Sequence, residues 1–168
     1  MRTVSSNEIY GTNDSQGARA NYSGSMNEIV VNEELRALDL FPAKRKYESM
    51  WSGDSRLSEV DCDLQTLGIT AEYKNQDVSG TADQKGGTEL YNAGQAISCL
   101  DYVLVFSGKH WERGRGARLF KMYKKMAHDM NQHPDTFCIA AQKLHVMKKD
   151  EFVRFVELKK KERLTNHG

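Results

Sequence analysis

The residues best suited to chemistry in this chain are Glu72 and Lys74, which close the apolar run Leu67–Ala71. Side chains alternate along a strand, so Glu72 and Lys74 are expected on the same face of a sheet. If Gln65–Gly68 forms a hairpin turn, Asp61 lies directly across from Glu72 on the preceding strand. Two carboxylates on directly opposed residues would bind a divalent cation, and the lysine would orient or deprotonate the attacking water. The pattern therefore favours metal-dependent cleavage of phosphodiesters.

The elements that must position these residues follow from hydrophobic periodicity. Ser25 caps a predicted helix that runs to about Leu40, where Pro42 stops it. The continuous apolar run 102–106 is typical of a strand buried on both faces, often a parallel one. We therefore predict an α/β fold with a mixed central sheet flanked by helices. The remaining predicted elements are strands near 44–51, 58–64, 69–74 and 136–141, and helices near 89–100, 117–130 and 149–163.

Length and composition suit one intracellular domain. The chain has 168 residues, with 24 Lys and Arg against 23 Asp and Glu, so net charge alone neither demands nor excludes a nucleic-acid partner. Three widely spaced cysteines indicate neither a disulfide framework nor a zinc site. No run approaches the length of a membrane span, and no signal peptide is evident. We expect a flexible arm over 1–24, a domain over 25–163, a tail over 164–168, and a reducing, cytoplasmic location.

A glycine-rich basic loop and helix start follow the buried strand, from Gly108 to Arg118. Its basic residues surround a tryptophan, an arrangement that suits phosphate contacts and base stacking. A second segment, Thr81–Lys85, is positioned to hold a phosphate at a helix start. The five histidines show no metal-ligand spacing with the cysteines. The predicted substrate-binding residues are Gln76, Lys85, Lys109, Arg113, Arg115 and Arg118.

From about Gly24 to Ala141 the chain resembles the PD-(D/E)XK nuclease superfamily, which has the restriction-endonuclease-like fold and includes the archaeal Holliday junction resolvases. In that family a helix carrying a glutamate precedes a meander. The second strand of the meander supplies an aspartate, and the third ends in Asp/Glu-x-Lys, often with glutamine two residues later. This chain offers Glu28, Asp61, Glu72-Tyr-Lys74 and Gln76. Val60 replaces the usual proline before the aspartate, which leaves open whether Asp61 or Asp63 is the equivalent.

The resemblance implies an αβββαβ core and a Mg²⁺-dependent endodeoxyribonuclease, with Mn²⁺ as a substitute. Glu28, Asp61 and Glu72 would hold metal, and Lys74 would complete the catalytic set. The expected partner is duplex or branched DNA, cut by a homodimer similar to a Holliday junction resolvase. The alternatives are a small restriction or homing endonuclease and, from another class, a non-catalytic nucleic-acid-binding protein. Candidate dimer-interface residues are Trp51, Phe106, Trp111 and Phe155.

Overall fold

The sheet has five strands in the order β1-β2-β3-β4-β5. The computed structural model describes residues 28–48, 57–77 and 82–166. Strands β1, β2 and β3 form an antiparallel meander, and β3, β4 and β5 run parallel. The elements are α1 (28–36), β1 (Ala43–Tyr47), β2 (Ser58–Leu64), β3 (Ile69–Asn75), α2 (Ala82–Ala96), β4 (Asp101–Ser107), α3 (Gly114–Gln132), α4 (Pro134–Phe137), β5 (Lys143–Lys148) and α5 (Lys149–Asn166).

Helices cover both faces of this sheet. Helices α2 and α3 pack on one face through a cluster that includes Leu90 and Tyr123. On the other face, α1 and α5 pack through a cluster that includes Val31 and Phe152. Every residue of β4 from Asp101 to Phe106 is buried, because this strand lies between two parallel neighbours and under two helical layers. The predicted α/β class with a mixed, helix-flanked sheet is confirmed.

A β-bulge interrupts the pairing of β1 with β2. Between the pairs Ala43–Asp63 and Arg45–Val60, two residues of β2, Asp61 and Cys62, oppose the single residue Lys44. The side-chain alternation changes phase there, since Val60 packs in one core cluster and Cys62 in the other. Bulges bend a strand and redirect side chains, and they recur beside active sites. Here the bulge falls at Asp61, so Glu59, Asp61 and Asp63 do not form the regular one-face row that strict alternation would give.

The first helix ends earlier than its sequence pattern predicts. Helical backbone stops at residue 36, and Asp39 adopts a left-handed conformation with φ of 53°. The Leu40 N–H donates to the Leu35 carbonyl, the long bond of a Schellman C-cap. Asp39 rather than Pro42 therefore ends the helix. The helix buries Val31 and Leu35, whereas Ile29 is exposed.

Two later elements also differ from prediction. The strand expected at 136–141 is wrong, because Pro134 begins the short helix α4 and the edge strand β5 starts only at Lys143. Helix α2 begins at Ala82, well before the predicted start near Glu89. Gly86 and Gly87 do not interrupt it, because the Tyr123 ring of α3 packs against the space that a side chain at Gly86 would fill. Helix α5 continues beyond the predicted domain end, to Asn166.

The close approach of α2 to α3 makes Gly86 and Gly87 a matched pair. A Cβ built on Gly86 would lie 2.6 Å from the Tyr123 ring, whereas at Gly87 the nearest atom is 3.4 Å away. Replacing glycine by alanine inside a helix ordinarily adds about 1 kcal/mol of stability. We expect Gly87→Ala to gain about that amount. Gly86→Ala should instead lose about 1–3 kcal/mol through overpacking, measured by urea denaturation. Equal stabilisation by both substitutions would contradict the tight contact.

Candidate active site

The hairpin of β2 and β3 places Asp61 beside Glu72. Its paired residues run from Leu64–Ile69 to Cys62–Ala71, and one further step in that register sets Asp61 opposite Glu72. A short 3₁₀ turn over Gln65–Leu67 connects the strands, and Gly68 takes a left-handed conformation with φ of 67°. The turn therefore fixes the register, and the predicted juxtaposition of Asp61 with Glu72 is present.

Asp61 bonds to the backbone of the neighbouring strand rather than to another side chain. Its Oδ2 accepts the Tyr73 N–H at 2.7 Å, so the carboxylate occupies the place that a strand carbonyl would take in a regular ladder. This bond fixes the carboxylate at the end of β3. The Tyr73 ring points to the opposite face, where it packs edge-on against Phe152 and its hydroxyl donates to Asn32 Oδ1 at 3.3 Å.

Lys74 is held between two carboxylates. Its Nζ lies 2.7 Å from Glu72 Oε1 and 3.2 Å from Glu89 Oε1. The side chains of Lys74 and Glu72 are each 13% exposed and that of Glu89 is 24% exposed, so water screens this contact only partly. We call Asp61, Glu72 and Glu89 the carboxylate cluster. Lys74 contacts two of the three, Glu72 and Glu89, and the charge of Lys44 also acts on Asp61.

Burial and mutual repulsion raise the pKa values of Asp61 and Glu72. Burial raises the pKa of Glu72 to about 7, with the charges of Asp61 and Glu89 adding to the rise and Lys74 opposing it. Burial also raises the pKa of Asp61, which the Tyr73 N–H and Lys74 offset only in part. Burial alone would lower the pKa of Lys74, but Glu72 and Glu89 together raise it above its ordinary value. The lysine therefore stays protonated at neutral pH.

Glu28 borders the cluster from α1. Its Oε1 lies 3.0 Å from Lys44 Nζ on β1, and its charge contributes to the raised pKa of Asp61. The side chain is 23% exposed, so it lies at the rim rather than pointing into solvent. The structure thus brings Glu28, Asp61, Glu72 and Lys74 into one neighbourhood, where the sequence pattern expected them.

Asp63 lies elsewhere on the hairpin. It pairs with Thr70, whose Oγ1 donates to Asp63 Oδ1 at 2.9 Å. Thr70 precedes Lys74 by four residues, or roughly 13 Å along an extended strand. Of the two aspartates that the sequence left open, Asp61 is therefore the one that accompanies Glu72 and Lys74.

Gln76 lies just past the carboxyl end of β3, where parallel strands commonly present ligand-binding residues. Its backbone bonds to the loop after β4, with its N–H donating to the Ser107 carbonyl and its own carbonyl accepting the His110 N–H. The residue is 9% exposed, and its amide atoms are closed off from solvent and have no hydrogen-bond partner among the described residues. A buried amide without partners is uncommon in native proteins, and this side chain would have to turn outward to contact a ligand.

The predicted basic residues are all on the surface. Lys109 lies in a 3₁₀ turn after β4, where its N–H donates to Asp77 Oδ1 at 3.1 Å. Arg113 adjoins the start of α3, which carries Arg115 and Arg118, and Lys85 lies in α2. Since β3 and β4 are parallel, the start of α3 lies at the same end of the sheet as Lys74 and Gln76. The side chains of Lys85, Lys109 and the three arginines are exposed.

Glu89 is the residue that sequence reasoning missed. It lies on α2 next to Leu90, which is fully buried, and one turn after Gly86, which contacts Tyr123. The sequence pattern starts this helix near Glu89 and gives no signal that the side chain faces Lys74, because that contact depends on where α2 lies over the sheet.

The chemistry of the cluster fits a divalent cation. Mg²⁺ prefers oxygen ligands and binds through one or two carboxylates, and burial, with the neighbouring carboxylates adding to it, raises the pKa values of Asp61 and Glu72. Within the described parts of the chain, no three His, Cys, Asp or Glu side chains already form a group able to hold a metal ion. Lys74 occupies the cationic position between Glu72 and Glu89, so a metal would compete with it for Glu72.

Two of the candidate interface residues belong to the core. Phe106 and Trp111 are at most 1% exposed and contact each other with ring centroids 4.4 Å apart. Phe155 packs partly against the other cluster, and Trp51 lies outside the described residues. Phe106 and Trp111 therefore serve the core, and their assignment to a dimer interface is wrong.

Comparison of the chain with protein-family models, with curated proteins and with solved structures found no match. None of the helices in the described ranges has the length and apolar character needed to cross a membrane. The assignment of the candidate site therefore rests on the geometry of its own residues.

The raised pKa of Glu72 predicts a pH-dependent stability. The folded protein holds this proton up to about pH 7, whereas the ordinary glutamate value is 4.5. Between these values the folded state binds more protons than the unfolded chain, so stability falls as pH rises and the loss is complete above pH 7. Its size is up to about 3 kcal/mol.

Urea denaturation at pH 5 and pH 8 without divalent cations measures this effect. Glu72→Gln should make stability less dependent on pH than in the wild type. Glu33→Gln, a change at an exposed acid of α1, should leave the dependence unchanged. If wild type and Glu72→Gln lost the same stability between these pH values, the buried-carboxylate account of Glu72 would be wrong.

Proposed function

We propose that this protein is a metal-dependent endonuclease that hydrolyses DNA phosphodiester bonds. The observation that carries the proposal is the joint position of Asp61, Glu72 and Lys74. They lie at the end of a half-buried hairpin, with the Asp61 carboxylate fixed by the Tyr73 N–H. A simple surface ion pair would explain Glu72 and Lys74. It would leave unexplained the bulge at Asp61 and the buried carboxylates with raised pKa values.

The order of elements supports the same proposal. From α1 through β4 the described elements run helix, three meander strands, helix and parallel strand. The PD-(D/E)XK superfamily would have these elements in its αβββαβ core, with Glu28 on the first helix and the acidic pair on the second and third strands. We infer the restriction-endonuclease-like arrangement from this order together with the site residues.

In this proposal Asp61 and Glu72 hold a Mg²⁺ ion, with Glu28 at the rim as a further ligand and Mn²⁺ as a substitute. When bound, the metal supplies Lewis acidity to the phosphate and lowers the pKa of an attacking water. The Tyr73 N–H orients the Asp61 carboxylate, and Glu89 retains Lys74 when Glu72 turns to the metal.

Lys74 acts as a charged group rather than as a base. Its pKa is above the ordinary lysine value, so at neutral pH the side chain has no free lone pair with which to accept a proton. A protonated lysine in a half-buried site stabilises the negative charge that develops on phosphate in the transition state. The sequence suggests that Lys74 either orients or deprotonates the attacking water. A protonated Lys74 fits the orienting role, in which it also stabilises charge.

The substrate proposed is duplex or branched DNA, held by Gln76, Lys85, Lys109 and the arginines after β4. A homodimer would place two centres about a twofold axis and allow paired cuts, as expected of a protein similar to a Holliday junction resolvase. A restriction or homing endonuclease would instead cut linear duplex. Comparing cleavage of a four-way junction with that of a linear duplex of the same sequence, with the mass from light scattering, distinguishes these substrates.

Nicking of supercoiled plasmid tests the chemistry. We expect cleavage in Mg²⁺ or Mn²⁺ and none in EDTA. Glu72→Ala and Lys74→Ala should each lower the rate by at least about 100-fold, the usual cost of one electrostatic catalytic contact. Asp61→Asn should lose activity as well.

Asp63→Asn is the matched control, because the amide oxygen can still accept the Thr70 hydroxyl and the residue lies away from Lys74. It should retain cleavage. Circular dichroism must show every variant folded. A folded Lys74→Ala protein that nicks plasmid at the wild-type rate would contradict the assigned site. DNA binding without any metal-dependent cleavage would favour a non-catalytic nucleic-acid-binding protein.

A further inference from the structure

Positive charge is concentrated in one stretch of a nearly neutral chain. Residues 109–132 contain seven Lys or Arg and two Asp or Glu, a net charge of +5. The rest of the chain has 17 Lys or Arg against 21 Asp or Glu, a net charge of −4. Such a separation of charge gives part of the surface a positive potential even when the net charge of the chain is close to zero.

Helix α3 carries five of these seven basic residues, and three of them lie on one side. Its buried side carries Gly116, Phe120, Tyr123, Ala127 and Met130. Arg118, Lys121 and Lys125 lie opposite that side on consecutive turns, and all three are exposed. We call these three residues the basic face. They are flanked by Arg115, Lys124 and His128, which are also exposed.

Few acidic groups neutralise the basic face. Lys125 pairs with Asp129, and the flanking Lys124 pairs with Glu151 of α5 at 3.2 Å. Arg118 and Lys121 have no ion-pair partner within the described ranges. A typical solvated helix mixes both signs of charge at i and i+4 positions, whereas Asp129 is the one Asp or Glu between 114 and 132. Such a surface fits a polyanion.

We infer that the basic face of α3 is a docking track for the phosphate backbone of DNA, which starts at Arg118, one of the proposed substrate-binding residues, and extends to Lys121 and Lys125. Helix α3 begins at the end of the sheet that carries Lys74 and Gln76, then runs back along β5. Arg118 to Lys125 spans about 10 Å of helix, the rise of about three nucleotides of one strand. The track therefore leads one DNA arm away from the point of cleavage. The choice of DNA as the bound polyanion rests on the proposed nuclease function, whereas the geometry of the basic face does not.

Fluorescence anisotropy with a labelled 20-base-pair duplex in EDTA tests the track. The variant Arg118→Ala, Lys121→Ala, Lys125→Ala should bind at least about tenfold more weakly at 0.1 M salt. Its salt slope should fall by about 3, or roughly 0.9 for each lost phosphate contact. The charge-conserving pair Lys121→Arg, Lys125→Arg should bind as the wild type does.

The control removes the same charge elsewhere, with Lys46→Ala, Lys161→Ala and Arg163→Ala, all exposed residues. It should leave affinity and slope near wild type. Equal weakening by both triple variants, no weakening by the α3 variant, or no DNA binding by the wild type would each overturn the track.

Plasmid nicking in Mg²⁺ separates this result from the nuclease proposal. If the α3 variant alone loses DNA affinity while the wild type does not nick, the track stands and the nuclease fails. If the wild type nicks and the α3 variant binds normally, the nuclease stands and the track fails.

Discussion

The pairing of Lys74 with two carboxylates governs the candidate site. Its ammonium group contacts Glu72 and Glu89 where little water reaches, and the charges of Asp61 and Glu89 both act on Glu72. Leaving charges in such surroundings without full compensation costs stability. The molecule lessens the cost with the Tyr73 N–H and with a Glu72 that ionises only near neutral pH. A divalent cation would remove the remaining deficit.

The fold maintains that arrangement from several directions. The bulge brings Asp61 to the Tyr73 N–H, α2 contributes Glu89, and α1 contributes Glu28. Strand β4 pairs with β3, and α2 brings Glu89 against Lys74, so the side chains of Glu72 and Lys74 are each only 13% exposed. Positive charge collects instead on α3, on the outside of the molecule. The proposed nuclease would need both features, an acidic site to hold a metal and a basic surface to bind the DNA backbone.

The sequence predicted what depends on local pattern. The meander, the buried parallel strand and the alternation that aligns Glu72 with Lys74 all follow from side-chain periodicity, and the hairpin register follows from the turn at Gly68. Glu89 and the start of α2 did not follow, because only the packing of Tyr123 on Gly86 shows that the helix extends back through two glycines. The bulge at Asp61 also depends on pairing with β1. The misplaced last strand reflects a weak apolar pattern around Pro134, where a helix start is equally compatible.

The most direct test of a cation-seeking carboxylate cluster is the anomalous scattering of Mn²⁺ in crystals of the protein. We expect a single strong Mn²⁺ peak within coordination distance of the Asp61 and Glu72 carboxylates, with Lys74 released from Glu72 and still paired with Glu89. A map at saturating Mn²⁺ with no peak there, and with Lys74 still bridging Glu72 and Glu89, would contradict this expectation. In that case the cluster would be a structural ion pair rather than a metal site.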